Sequence, residues 1–129
     1  MMDAMELEYK YGELTDLRKQ MEQVWAKDTA YKNMWNPKIP STGHCFVTAL
    51  WLNWYFGGDI IRGRVEGESH YWNIINDIPV ALTSDQFGGD GYNPVGEGRK
   101  CTHAVLWGNE RYLLFKERMS NVKDCNRNL

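Results

Sequence analysis

Apolar residues recur at helical spacing in two segments, one towards each end of the chain. In residues 14–25 they stand three and four positions apart, and Thr15 offers a hydroxyl that can cap a helix. Residues 109–122 show the same period among charged residues. The pattern predicts a packing helix near the beginning of the sequence and a charged amphipathic helix near its end.

A long apolar stretch, residues 44–56, lies between these two segments. Ser41 and Thr42 precede it with hydroxyl groups suited to helix capping, and Gly57 and Gly58 follow it. The stretch therefore predicts a buried helix whose two ends are both marked in the sequence.

Strand-like alternation follows the glycines. Residues 59–66 alternate isoleucine and valine with arginine, and residues 69–75 and 79–83 predict a hairpin that turns at Asn76 and Asp77. These segments predict an antiparallel sheet of three or more strands. Helices before and after such a sheet indicate an α+β fold class.

Length and composition limit the number of domains and the kinds of partner. A chain of 129 residues with 43% apolar content is expected to form a single domain, residues 1–129, with one core. A net charge of −2 and a pI near 5.9 argue against nucleic acid and membrane surfaces as partners. No stretch has the roughly 18 apolar residues of a membrane span, so a cytoplasmic location is expected. The oligomeric state stays open.

The cysteines point to thiol chemistry. Cys45, Cys101 and Cys125 are odd in number and lack paired spacing, which argues against a disulfide framework. Cys45 stands at the predicted start of the buried helix, where unpaired backbone N–H groups favour a thiolate and can stabilise an oxyanion. Cys45 is therefore the candidate nucleophile, and a packed core thiol is the alternative.

A nucleophilic cysteine needs an imidazole, and the chain has three histidines. His70, on the second predicted strand, could act as base and then acid if the sheet packs against the helix of Cys45. His44 is next to the cysteine and points about 100 degrees away on a helix, so we expect it to line the mouth of the cleft. The position of His103 in the fold stays open.

A third polar group usually orients the imidazole. With a two-residue turn, Thr83 stands opposite His70, and Asp85 lies on the face that bears His70. Asp85 is therefore the predicted orienting carboxylate, although residues 85–87 could equally have a structural role in fixing the adjoining loop. Asn73 is an odd number of residues from His70, which places it on the opposite face.

Several short motifs together resemble a known family. They are Gly43-His44-Cys45, Thr48-Ala49-Leu50, Gly57-Gly58, His70-Tyr71-Trp72-Asn73 and Leu82-Thr83-Ser84-Asp85-Gln86-Phe87. In these motifs the chain resembles the YunG-like family of small bacterial and phage proteins, over roughly residues 43–87. That family is similar in fold to papain-like, NlpC-type and transglutaminase-like cysteine enzymes. The resemblance implies a cysteine-bearing helix packed on a small antiparallel sheet, with Cys45 and His70 as the catalytic pair.

The first functional hypothesis is a thiol hydrolase or acyltransferase, such as a peptidase, amidase or deamidase, that acts on a protein or peptide. Cys45 attacks the substrate, His70 transfers the proton and Asp85 orients the imidazole, and no cofactor or metal is expected. His44, Trp72 and Gln86 are candidate binding residues, with a core position as the alternative for Trp72.

Two positions depart from the family pattern. His44 stands where glutamine is common, and Ala81 stands where an aspartate would orient the histidine. The second hypothesis is therefore a binding or inhibitory protein that keeps the fold without turnover. A metal-binding module that uses cysteine and histidine ligands is a weaker third.

Overall fold

The computed structural model describes the chain at residues 4–89, 92–101 and 106–127, with side chains from residue 13 to residue 122 inside these ranges. It contains three α-helices, which we label α1 (Ala4–Val24), α2 (Cys45–Phe56) and α3 (Glu110–Arg127). Single 3₁₀ turns occur at Tyr31–Asn33, Ser84–Phe87 and Leu106–Gly108. All three predicted helices are confirmed. However, α1 begins well before residue 14, and Thr15 lies inside it rather than at its N-cap.

The strands form one antiparallel sheet. They are β1 (Asp59–Val65), β2 (Glu68–Ile75), β3 (Ile78–Val80) and β4 (Gly98–Lys100), in the spatial order β3-β2-β1-β4. The architecture is therefore α+β, with three helices and a small four-stranded sheet, as the sequence predicts.

The hairpin between β2 and β3 has the predicted register, but β3 is shorter than expected. Asn73 pairs with Val80, and Ile75 pairs with Ile78 across the turn at Asn76 and Asp77. The sequence predicts a strand to Thr83, whereas β3 ends at Val80. The N–H of Ala81 donates instead to the carbonyl of Tyr92 at 2.6 Å, and the chain then turns into the 3₁₀ segment.

One face of the sheet packs against α2. The Phe46 ring lies edge-on to Tyr71 with 5.2 Å between centroids, and the Asn73 amide donates to the Ala49 carbonyl at 2.9 Å. Ile60, on the same face of β1, is fully buried. The contacts fix a helix-on-sheet layer in which odd-numbered residues of β2 face α2.

The other side of α2 packs against α1 and α3, and this forms the main hydrophobic core. Its fully buried residues include Met21 of α1, Leu50 of α2 and Phe115 of α3. Apolar burial of this kind is the main favourable contribution to folding. The helix of Cys45 is thus held between the sheet and two other helices.

The opposite face of the sheet accommodates the indole of Trp72. A Cβ atom at Gly63 would stand 2.7 Å from this ring, and one at Gly98 would stand 2.6 Å from it. Both distances are shorter than any normal contact between carbon atoms. Glycine at these two positions therefore lets Trp72 lie directly over β1 and β4.

We predict that Gly63→Ala destabilises the protein by about 1–3 kcal/mol, because the added methyl group overpacks against the Glu97 carbonyl oxygen and the Trp72 ring. Gly108→Ala is the matched control, since a Cβ at Gly108 meets no atom within 4 Å. Urea unfolding of both variants measures the difference. Equal stability of the two variants would contradict this account of the sheet.

Candidate functional site

Cys45 is the first residue of α2, and its side chain is half-buried beside β2. The sulfur lies 3.8 Å from the carbonyl oxygen of Ser69, and the backbone N–H groups of Tyr71, Phe46 and Cys45 itself stabilise negative charge on it. The sequence prediction that Cys45 begins the buried helix is confirmed.

The predicted capping hydroxyls at the start of this helix have other partners. His44 is the N-cap residue and makes no side-chain capping bond. The Ser41 hydroxyl donates to Asp85 at 2.6 Å, and the Thr42 hydroxyl donates to the carbonyl of Ile39 at 2.7 Å. The first N–H groups of α2 are therefore not satisfied by the hydroxyls of Ser41 and Thr42.

Cys45 opens into a cleft of about 240 Å³. Its described walls come from five parts of the chain: the 3₁₀ turn at Tyr31–Asn33, the first residues of α2, strands β1 and β2, and the beginning of α3. The polar residues that line it are Tyr31, Arg62, Ser69, Tyr71, Asn109 and Arg111. Among the residues that the structure describes, none that lines this cleft is acidic.

Burial raises the pKa of the Cys45 thiol. The three backbone N–H groups and the positive charge of Arg111 act in the opposite direction, but burial outweighs them. This direction is opposite to the lowered thiol pKa of an activated nucleophile.

His70 is fully buried on the sheet face that points away from Cys45. Its ring lies 4.7 Å from Phe87 and 5.2 Å from Trp72, and its cross-strand partner is Gly63. Within the described residues, neither ring nitrogen has a hydrogen-bond partner. The structure thus does not bring His70 to Cys45, because adjacent residues of a strand point to opposite faces and the helix packs on the face of Tyr71.

The carboxylate of Asp85 does not orient His70, and this prediction is wrong. Arg18 donates to both carboxylate oxygens, at 3.1 and 2.7 Å, and Ser41 donates to one of them. Burial opposes ionisation, but Arg18 and Ser41 together hold the pKa of Asp85 below its usual value. The prediction assumed a strand through Thr83, whereas β3 ends at Val80 and Asp85 lies in a 3₁₀ turn.

The two residues after Asp85 also have structural contacts. The side-chain Oε1 of Gln86 accepts a hydrogen bond from the backbone N–H of Gly43 at 3.1 Å, and Phe87 packs against His70. The structural alternative for residues 85–87 therefore describes what the structure shows. These residues fix the turn that leads into Cys45, and Gln86 does not line the cleft.

His44 and Trp72 do not line the cleft either. His44 is fully buried, with one ring nitrogen 2.8 Å from the Thr29 hydroxyl and the other 2.9 Å from the Thr42 carbonyl. Burial lowers its pKa to about 4. Trp72 is 5% exposed, which agrees with a core position. The expectation that His44 lines the mouth is wrong because the chain turns before α2 and points the imidazole inwards.

Other sequence candidates fall partly outside the described residues. His103 lies outside them, as does the side chain of Cys125. Cys101 is half-buried, and its backbone N–H donates to the Ile60 carbonyl at 2.7 Å. Within the described part of the chain, no three His, Cys, Asp or Glu side chains are placed to hold a metal ion, and no helix has the length and apolarity to cross a membrane.

The arginines of the cleft were missed by sequence reasoning. Arg62 follows Ile60 by two residues, so the two side chains lie on the same face of β1, which is the face that packs against α2. The alternation in the sequence therefore indicates the position of Arg62. Arg111 gives no comparable signal, because its approach to Cys45 depends on how α3 returns to the start of α2. Only the tertiary structure shows that the two meet.

We predict that Asp85→Asn destabilises the protein by about 2 kcal/mol, because it weakens two charge-assisted hydrogen bonds to a largely buried Arg18. Asp28→Asn is the matched control: Asp28 makes the same two-pronged contact to Arg118, but at an exposed site where we expect less than about 1 kcal/mol. Thermal unfolding compares them. An Asp85 variant no less stable than the Asp28 variant would contradict a structural role.

We predict that His70→Leu is close to neutral for stability at pH 7, because the imidazole makes no hydrogen bond that leucine would lose. His44→Leu should cost about 1–3 kcal/mol, since it leaves the Thr29 hydroxyl and the Thr42 carbonyl without their ring partner.

The same variants test the effect of pH. Burial lowers the pKa of His70 to about 4 from an ordinary 6.5, so its stabilising effect is complete above pH 6.5 and is lost as pH falls towards 4. His70→Leu should remove up to about 1.4 kcal/mol per pH unit from the slope of unfolding free energy in this window. An unchanged slope would show that His70 is not buried as a neutral group.

Comparison with known proteins agrees with the motifs. The family model described as YunG protein matches residues 13–124. The chain is also 39% identical over 67 residues to the uncharacterized protein YunG of Bacillus subtilis (strain 168). This alignment covers 52% of the chain, and it spans only 56% of the length of that relative. No solved structure gives a significant match. Because the family model covers most of the sequence, the chain belongs to the YunG family.

Proposed function

We propose that this protein is a binding protein that receives its ligand in the cleft at Cys45 and keeps a cysteine-hydrolase type of fold without turnover. One observation carries the proposal: within the described residues, the Cys45 sulfur has neither an imidazole nor a carboxylate beside it. His70 lies on the other face of the sheet, and Asp85 is bound by Arg18 and Ser41. A thiol without a base lacks the proton transfer on which acyl transfer depends.

The arrangement of elements supports a papain-like interpretation of the fold. A helix begins with a cysteine, packs on an antiparallel sheet, and has a histidine on the adjoining strand. The cleft volume of about 240 Å³ is below the range of about 300–1,000 Å³ typical of drug-sized ligands. This favours a single side chain or the end of a peptide as the bound group. The free thiol of Cys45 suits a reducing compartment such as the cytoplasm.

A second candidate function is thiol acyl transfer or hydrolysis at Cys45. It is favoured by the three backbone N–H groups around the sulfur, which could also stabilise an oxyanion. Cys45 would attack an amide carbonyl and form an acyl-enzyme, which water or an amine would then release. In the described arrangement this reaction requires a base other than His70.

Alkylation of Cys45 discriminates between the two candidates. We expect iodoacetamide to label Cys45 of the native protein more slowly than the same cysteine in urea, with a pH midpoint above that of the unfolded chain, because burial raises the thiol pKa. Mass spectrometry of the Cys45 peptide gives the rate separately from that of Cys101. A midpoint well below that of the unfolded chain would overturn the binding proposal in favour of the thiol enzyme.

A further inference from the structure

Two arginines reach the Cys45 cleft from different elements. Arg62 lies in β1 directly across from Tyr71, on the face that packs against α2. Arg111 lies in the first turn of α3, and its guanidinium stands 5.6 Å from the Tyr31 ring and 5.5 Å from the Phe46 ring. The two positive charges therefore border one small opening beside the sulfur.

Among the described residues, neither of these arginines has a carboxylate partner. The ion pairs of the described chain are made by Arg18, Lys100 and Arg118. No described acidic side chain lines the cleft, and the residue across from Arg62 on β4 is Arg99. The positive charge at this site is thus not neutralised by these parts of the protein.

The guanidinium groups also keep unused donors. Arg62 donates to the Ser69 hydroxyl at 3.1 Å, and Arg111 donates to the Thr29 carbonyl at 3.4 Å. A guanidinium has five N–H donors in a planar fork that matches carboxylate and phosphate oxygens. Arg111 is half-buried, and burial of a cation without a counter-charge is unfavourable. A negatively charged group in the cleft would supply the missing partner.

We propose that the Cys45 cleft binds an oxyanion, a carboxylate or a phosphate group at the end of a ligand, and that Arg62 and Arg111 are its binding residues. This inference rests on the proposed binding function, and it names the chemical class of the ligand. The Tyr71 ring lies 5.8 Å from the Arg62 guanidinium and the Tyr31 ring 5.6 Å from that of Arg111, which allows cation–π contacts beside the opening. The cleft has space for the anionic end of the ligand, and the rest lies outside it.

Paired alkylating reagents test this inference on Cys45 itself. Iodoacetate and iodoacetamide undergo the same reaction, in which the thiolate forms a C–S bond and displaces iodide, but only iodoacetate carries a carboxylate. The ratio of their rates therefore cancels any change in thiol ionisation. At low salt we expect the iodoacetate-to-iodoacetamide ratio at Cys45 to exceed that of N-acetylcysteine by at least about tenfold. It should fall towards the N-acetylcysteine value at about 1 M salt.

Variants of the two arginines test whether they cause the high iodoacetate-to-iodoacetamide rate ratio at Cys45. Arg62→Gln and Arg111→Gln should each lower it several-fold, while Arg111→Lys, which keeps the charge, should retain most of it. Lys19→Gln removes an exposed charge from α1 away from the cleft and should leave the ratio unchanged. Because Arg62 is exposed, its variant tests the inference even if loss of Arg111 disturbs folding. Acetate or phosphate should also protect Cys45 from iodoacetamide, and the better protector identifies the oxyanion.

The outcomes separate this inference from the proposed function. A ratio equal to that of N-acetylcysteine, a ratio insensitive to both glutamine substitutions, or no protection by either anion would overturn the oxyanion site and leave an open cleft. Failure of both reagents to label Cys45 in the folded protein, even at alkaline pH, would show that the cleft is closed. That result would overturn the binding function as well.

Discussion

The ion pair between Arg18 and Asp85 is the interaction on which the site depends. Arg18 comes from α1, Asp85 from the turn after the sheet, and the same carboxylate accepts a hydrogen bond from Ser41 just before α2. Gln86 extends the network to the N–H of Gly43. Because these contacts hold the turn that leads into α2, they also determine where Cys45 enters the cleft.

This network explains why a conspicuous motif, residues 85–87, does not line the cleft. Asp85, Gln86 and Phe87 suggest an active-site segment from the sequence, yet each contacts a structural neighbour. A carboxylate held by an arginine and a hydroxyl keeps its charge and its position, which suits a clamp between elements. Because the Asp85 carboxylate is bound by Arg18 and Ser41, it does not orient the imidazole of His70.

The two faces of the sheet separate the histidine from the cysteine. Tyr71 and Asn73 contact α2, while His70 packs against Trp72 and Phe87 on the other side. The imidazole is fully buried without a hydrogen bond among the described residues, which is unusual for a buried polar group. Among the described residues, the Cys45 thiol and the side chains of Arg62 and Arg111 line the cleft, and this arrangement underlies the proposed binding of an anion.

The sequence by itself determined the three helices, the antiparallel hairpin and the position of Cys45 at a helix start, because periodicity, glycines and alternation are local properties of the chain. It also determined the family, through motifs of fixed spacing. Only the tertiary structure showed which side chains surround Cys45. Where β3 ends, which face of β2 meets α2, and how Arg111 of α3 reaches Cys45 all depend on contacts between residues distant in sequence. Because β3 ends at Val80, three residues before the predicted end of the strand, Asp85 contacts Arg18 instead of His70. No local sequence pattern predicts where such a strand ends.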